Sequence, residues 1–203
     1  MAQSIARYDA QYFEKWYRDP KSRVSTTASA ERKARMALAV AEYYLEAPVR
    51  SVLDVGCGEG QWAPVLQALR PGLAYRGIDA SAYAVRKWGA RRNLMLGTFA
   101  DLPELLDDTR YDLIICSDML YYLPQKELVR GLQVLVERLD GIAFLEAYTP
   151  DDAIEGDTAS WEPRGLAKWK KVFRAQGLVS CGPHCYAGPT LAPMVMQLER
   201  GAV

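Results

Sequence analysis

The most constraining stretch of this chain is Asp54-Val55-Gly56-Cys57-Gly58-Glu59-Gly60, which follows the short run Ser51-Val52-Leu53 and sets three glycines in five positions. It predicts a strand that ends in a glycine turn and opens into a helix, so that backbone N–H groups and a helix amino terminus stand at the carboxyl end of the strand. Something has to approach that backbone closely. A dinucleotide fingerprint would place its third glycine three residues after the second, at position 61, which is Gln61. Here the third comes one residue early, at Gly60, and an acid, Asp54, precedes the first glycine by two positions. Asp54 would repel a pyrophosphate but can pair with a cationic amino group, directly or through water. The expected ligand is a nucleoside carrying an amino acid.

Around this turn, strand-like and helix-like segments alternate. Met36, Leu38, Val40, Ala41, Tyr44 and Leu45 recur at three- and four-residue steps, which predicts an amphipathic helix over 30–47, stopped by Pro48. Strands are then expected at 51–55, 74–78, 93–97, 111–116 and 141–146, with helices at 61–70, 81–89, 103–107, 124–139 and 160–176, the last closed by Gly177. Two final runs, 178–185 and 190–198, leave no room for a helix between them and should pair as an antiparallel hairpin. The expected fold class is α/β: a Rossmann-like, doubly wound, seven-stranded and mainly parallel sheet with a C-terminal antiparallel hairpin. At 203 residues the chain suits a single domain, 1–203.

The pattern acid-x-Gly-x-Gly-x-Gly, formed by Asp54, Gly56, Gly58 and Gly60, resembles the first motif of the class I S-adenosylmethionine-dependent methyltransferases of small-molecule type. The resemblance spans most of the chain. Arg76-Gly77-Ile78-Asp79 ends the second strand on an acid able to accept both hydroxyls of a ribose. Phe99-Ala100-Asp101-Leu102 follows the third strand, where the family uses an acid to accept the adenine amino group and an apolar neighbour to cover the ring. Tyr111 to Asp118 resembles the fourth motif, whose end faces the methionine part of the cofactor and the acceptor. The resemblance implies that Asp54, Gly56, Cys57, Gly58, Gly60, Trp62, Asp79, Ala80, Phe99, Ala100, Asp101 and Ser117 hold S-adenosyl-L-methionine, with S-adenosyl-L-homocysteine as product. Helix capping competes for Asp54, Asp79 and Asp101 one at a time, but their order and spacing favour the cofactor.

For methyl transfer the nucleophile must be aligned with the methyl group and water excluded, and an amine or hydroxyl acceptor must also lose a proton. A general base is useful there. Asp118 and Tyr122 follow the fourth strand and Glu146 and Tyr148 the fifth; His184 is the only histidine, with an unperturbed pKa that suits a base. The catalytic candidates are Asp118, Tyr122 and His184. Cys181, His184 and Cys185 supply only three metal ligands, and in an extended chain His184 points away from the other two, so no metal site is expected. Analogy favours N-methylation slightly over O-methylation.

The front segment pairs Tyr8 with Tyr12 and Phe13 with Trp16 and Tyr17 at helical spacing, so it must cover something apolar. We expect 1–29 to act as a lid over cofactor and acceptor, with packing across the sheet rim or a dimer contact as the competing reading. Charge narrows the partners: 25 basic residues balance 25 acidic ones, which argues against nucleic acid or an anionic membrane and for a small-molecule methyl acceptor. The expectations are a cytoplasmic monomer or homodimer with reduced cysteines. A nicotinamide-dependent oxidoreductase would share the sheet and the ribose acid but not the glycine spacing; a non-catalytic cofactor-binding protein would share every binding motif.

Overall fold

A computed structural model of the chain describes residues 8–153 and 156–195. Strands β1 (Ser51–Val55), β2 (Ala74–Asp79), β3 (Leu94–Leu96), β4 (Tyr111–Cys116) and β5 (Leu139–Leu145) run parallel. With β6 (Val179–Gly182) and β7 (Cys185–Ala187) they form a seven-stranded sheet in the order β3-β2-β1-β4-β5-β7-β6, in which β7 is antiparallel to both of its neighbours. The helices are α1 (Ala10–Phe13), which continues into a π-helical turn Glu14–Arg18, α2 (Thr27–Leu45), α3 (Trp62–Leu69), α4 (Ala82–Arg92), α5 (Leu102–Leu105), α6 (Gln125–Glu137), α7 (Leu166–Ala175) and α8 (Ala192–Val195).

Alternate strand residues face opposite layers. Val52, Leu113, Ile115, Ile142 and Phe144 pack with Ala34, Ala37, Leu38 and Ala41 of α2 and with Trp62 and Leu66 of α3. Their neighbours Leu53, Ile114, Ala143 and Leu145 pack with Leu128, Leu132 and Leu135 of α6 and with Trp169 and Phe173 of α7. The buried alanines of α2 let its backbone lie close to the sheet. Thr26 and Ser29 close the start of that helix by exchanging backbone N–H bonds with each other's hydroxyls, and Glu46 ends it in the left-handed region at φ 54, two residues before Pro48.

The sheet order sets the site. From β1 the chain proceeds outward through β2 and β3, then returns to place β4 and β5 on the other side. A crevice therefore opens beyond the carboxyl ends of β1 and β4, where the glycine turn emerges.

The carboxyl-terminal part corrects the expected layout. The expected antiparallel hairpin forms, but its turn lies inside the first of the two final runs: Gly182 pairs with Cys185 across a two-residue turn, Pro183-His184, and β7 continues past that run's expected end at 185 to Ala187. Pro183 has the φ that a turn's first central position needs, and His184 takes the left-handed conformation, φ 58, at the second. The run expected as a strand at 190–198 instead begins α8: Pro193 cannot donate to a ladder but fits a first helical turn, and 196–198 lie outside the described residues. The helix expected from 160 begins at Leu166, after Pro163 and Gly165.

Candidate active site

The glycines answer for themselves in backbone angles. Gly56, Gly58 and Gly60 all lie in the left-handed region, at φ 74, 55 and 70. At Gly56 space is also decisive, since a Cβ would come within 2.6 Å of Met119 Cγ. The turn is tied to β2 by Asp79, whose carboxylate accepts from Gly58 N (2.6 Å) and Ser81 N (2.8 Å). Burial raises the Asp79 pKa against the opposing pull of those two N–H groups. Asp54, at 1% exposure, accepts from the Tyr75 hydroxyl at 2.6 Å. Burial, with a smaller push from Asp79, lifts its pKa to about 7 in spite of that bond.

Two chambers adjoin at this turn. The larger, about 540 Å³, is walled by Val55, Gly56 and Gly58, by Asp79 and Ala80, by Thr98, Phe99 and Ala100, by Asp118, Met119 and Tyr122, and by Tyr8, Tyr12 and Phe13 of the front segment. The smaller, about 230 Å³, is walled by Ser25 and Lys33, by Asp54, Cys57, Gln61 and Trp62, and by Ser117 and Tyr148. Tyr17, Gly56 and Asp118 belong to both.

Asp118 follows β4 in the left-handed conformation, φ 61, an arrangement that a non-glycine residue holds only when its surroundings enforce it. The Tyr121 hydroxyl donates to its carboxylate. Burial first, and then the nearby Glu146, raise the Asp118 pKa to about 6, against the pull of Tyr121 and Lys33. Glu146, at 2% exposure, is fully engaged: it accepts from Lys33 Nζ (2.7 Å), Ser117 Oγ (2.6 Å) and Tyr148 Oη (2.9 Å), and these partners outweigh burial to lower its pKa.

The front segment rests on this floor. Phe13 is buried and stacks on Tyr83, with ring centroids 5.7 Å apart. The Tyr8 carbonyl accepts from Ser81 Oγ at 2.5 Å, and Arg18 pairs with Glu59 at 2.5 Å.

Of the residues singled out in the sequence, Asp54, Gly56, Cys57, Gly58, Trp62, Asp79, Ala80, Phe99, Ala100, Ser117, Asp118 and Tyr122 line one or both chambers. Gly60, Asp101 and His184 line neither. Asp101 is exposed and turns its carboxylate back on Thr98, accepting from the N–H at 2.8 Å and the hydroxyl at 2.7 Å, bonds that hold its pKa low. His184 sits in the hairpin turn with its ring 5.7 Å from that of Phe144. Lys33 was not singled out. The signal lay in its spacing: it stands three residues after Ala30 and four before Ala37, at the edge of the apolar stripe of α2. All four cysteines are free thiols. Among the described residues no helix is long and apolar enough to cross a membrane, and no cluster of ligating side chains could hold a metal ion.

The chambers also carry a pH prediction. Asp54 must be ionised to face a cationic amino group, and its pKa of about 7 means that ionisation occurs near neutrality. Affinity for a ligand bearing such a group should rise as pH increases from 6 to 8, with proton release on binding at the lower end. Calorimetric titration in buffers of different ionisation enthalpy measures both; a flat profile with no proton release would remove Asp54 from the amino-group site.

Residues 8–185 match a family model described as a methyltransferase domain. A comparison with curated protein sequences finds no match. Among solved structures, a SAM-dependent methyltransferase from Archaeoglobus fulgidus superposes with a TM-score of 0.64 at 16% identity, covering 84% of this chain and 74% of that one. Magnesium protoporphyrin IX methyltransferase (ChlM) from Synechocystis PCC 6803, solved with bound SAM, gives 0.58 at 20% identity and 92% coverage of both chains. Streptomyces venezuelae DesVI gives 0.60 at 15% identity, covering 93% of this chain and 98% of that one.

Proposed function

This chain belongs to the methyltransferase family, and from that premise we propose that it methylates a small-molecule acceptor from S-adenosylmethionine, on an amine nitrogen in preference to an oxygen. The residues present fit that cofactor. Asp79 offers the ribose a fixed carboxylate, Ala80, Phe99 and Ala100 give the adenine an apolar wall, the backbone of Gly56 and Gly58 on the chamber wall lets the methionine part come close, and Asp54 faces its ammonium. Asp101 lines neither chamber and commits one carboxylate oxygen, Oδ2, to Thr98, so it adds nothing to this wall. When bound, S-adenosylmethionine supplies an electrophilic methyl carbon on a sulfonium that departs as a neutral thioether.

The observation that carries the reading is Asp118, on the wall common to both chambers beside Gly56. A protonated amine passes a proton to this carboxylate, which frees its lone pair for the electrophilic carbon that a bound cofactor would supply. With a carboxylate titrating at about 6, taking a proton from an alkylammonium costs roughly 6 kcal/mol, against roughly 13 kcal/mol for an aliphatic hydroxyl. A phenol matches the ammonium in acidity, but its ionised form would face the carboxylates of the larger chamber. Tyr122 stands beside Asp118 on the same wall with its hydroxyl donated to the Asp157 carbonyl at 2.5 Å, which suits it to shaping the acceptor site. His184 would have to act from outside both chambers. Residues 8–18 serve as the cover that excludes water, pinned through Tyr8 at Ser81 and through Arg18 at Glu59; residues 1–7 of the expected lid lie outside the described residues.

Incubation with radiolabelled cofactor and matched sets of small amines, alcohols and phenols tests this. Methylated amines should form at least tenfold faster than methyl ethers. Turnover confined to hydroxyl acceptors would overturn the preference for nitrogen.

A further inference from the structure

The larger chamber is one-sided in charge. Asp79, Asp118, Glu127 and Glu162 line it, and among the described residues no lysine or arginine does. Lys33, which lines the smaller chamber, is already neutralised by Glu146. Two of the four acids have work in the methyl-transfer reading, on which this inference rests: Asp79 holds the ribose and Asp118 takes the proton. Glu127 and Glu162 have none.

Glu127 lies in the first turn of α6 and is half-buried; Glu162 is exposed in the loop before α7, held by its backbone N–H to the Tyr121 carbonyl at 2.8 Å. Arg164 attracts Glu162, but its buried guanidinium is directed at Gln125 Oε1 (3.1 Å) and at the carbonyls of Leu123 and Glu162. The helix amino terminus accounts for an acid at 127 but not for one at 162. The same chamber is walled by Tyr8, Tyr12, Tyr122 and Trp161, whose ring faces attract cations.

We propose that the acceptor enters the larger chamber as a small organic cation, recognised by Glu127, Glu162 and these aromatic faces, and that acceptors carrying a phosphate or carboxylate are rejected. Attraction and rejection come from one arrangement: carboxylates in a chamber that no basic side chain lines favour an ammonium and leave an anionic group without a counter-charge. The acceptor class is therefore free amines, and excludes metabolites presented on a phosphate handle.

The test uses three soluble probes of nearly equal shape and different charge: 2-phenylethylamine, 2-phenylethanol and 3-phenylpropanoate. Each is titrated into the full chain saturated with S-adenosylhomocysteine, which has no sulfonium, so that charge discrimination belongs to the protein. The amine should bind at least tenfold more tightly than the alcohol, and the carboxylate more weakly than either. The double variant Glu127→Gln/Glu162→Gln should lose at least fivefold in amine affinity while its affinities for the alcohol and for S-adenosylhomocysteine stay within twofold, which also reports that it folds. An amine no tighter than the alcohol, a carboxylate that binds as well, no probe binding, or an unchanged double variant would each overturn the proposal. Failure of S-adenosylhomocysteine itself to bind would instead remove the methyl-transfer reading, and this inference with it.

Discussion

Asp79→Ala is expected to weaken S-adenosylmethionine binding by about 100-fold. Asp79 combines a proposed role with an observed one: we propose that its carboxylate meets the ribose, and it holds the glycine turn through Gly58 N at 2.6 Å and the start of α4 through Ser81 N at 2.8 Å. Hydrogen bonds to charged groups contribute about 1.5–3 kcal/mol each, and losing the ribose contact together with the shape of the turn amounts to about 3 kcal/mol, hence two powers of ten. Asp79→Asn separates the two roles. Its amide keeps the shape but can accept from only one of the two N–H groups, so an intermediate loss is expected. Calorimetric titration of both variants decides the matter: a change below threefold for alanine would remove Asp79 from the ribose site.

The second large effect is on rate. Asp118→Asn should lower kcat by about 10²–10³, the usual scale for removing a general base, with cofactor affinity changed less than threefold. The wild-type kcat/KM should climb with pH through about 6, because Asp118 accepts a proton only when ionised and burial delays its ionisation to that point. In the variant this limb should vanish. Folding provides the control. A carboxyl whose pKa is raised by the fold costs stability above its unfolded-state pKa, so replacing it by a neutral amide should leave the thermal midpoint unchanged or higher. A variant slow in turnover and intact in melting isolates the chemistry; full activity in Asp118→Asn would end its assignment as base.

What the sequence makes legible is whatever depends on neighbours along the chain. The glycine turn, the acid that ends β2 and the alternation that separates Val52 from Leu53 into opposite layers are local patterns, and each appears where its spacing put it. Less could be read wherever two local solutions compete. Pro183 and His184 turn the chain inside the first of the final runs, so that the second strand starts at that run's last residue, and Pro193 lets the next run begin as a helix. Asp101 illustrates the same competition, since a carboxylate three residues after Thr98 can cap its own turn as readily as it can meet a ligand. Lys33 was hidden for another reason: its partner Glu146 lies 113 positions away, a pairing that spacing within α2 can flag but cannot identify.

The proposed cover has a consequence for kinetic order. Tyr8, Tyr12 and Tyr17 belong to the front segment and also wall the larger chamber, so the acceptor's surroundings are complete only when that segment is seated. Its underside meets the glycine turn: Tyr17 Oη would stand 3.1 Å from a Cβ at Gly58, and both of its anchors, Ser81 and Glu59, flank the residues proposed to grip the cofactor. A seated segment therefore bars cofactor exchange. The cycle becomes a compulsory sequence, cofactor on first and spent cofactor off last, and S-adenosylhomocysteine should inhibit competitively against S-adenosylmethionine and non-competitively against the acceptor.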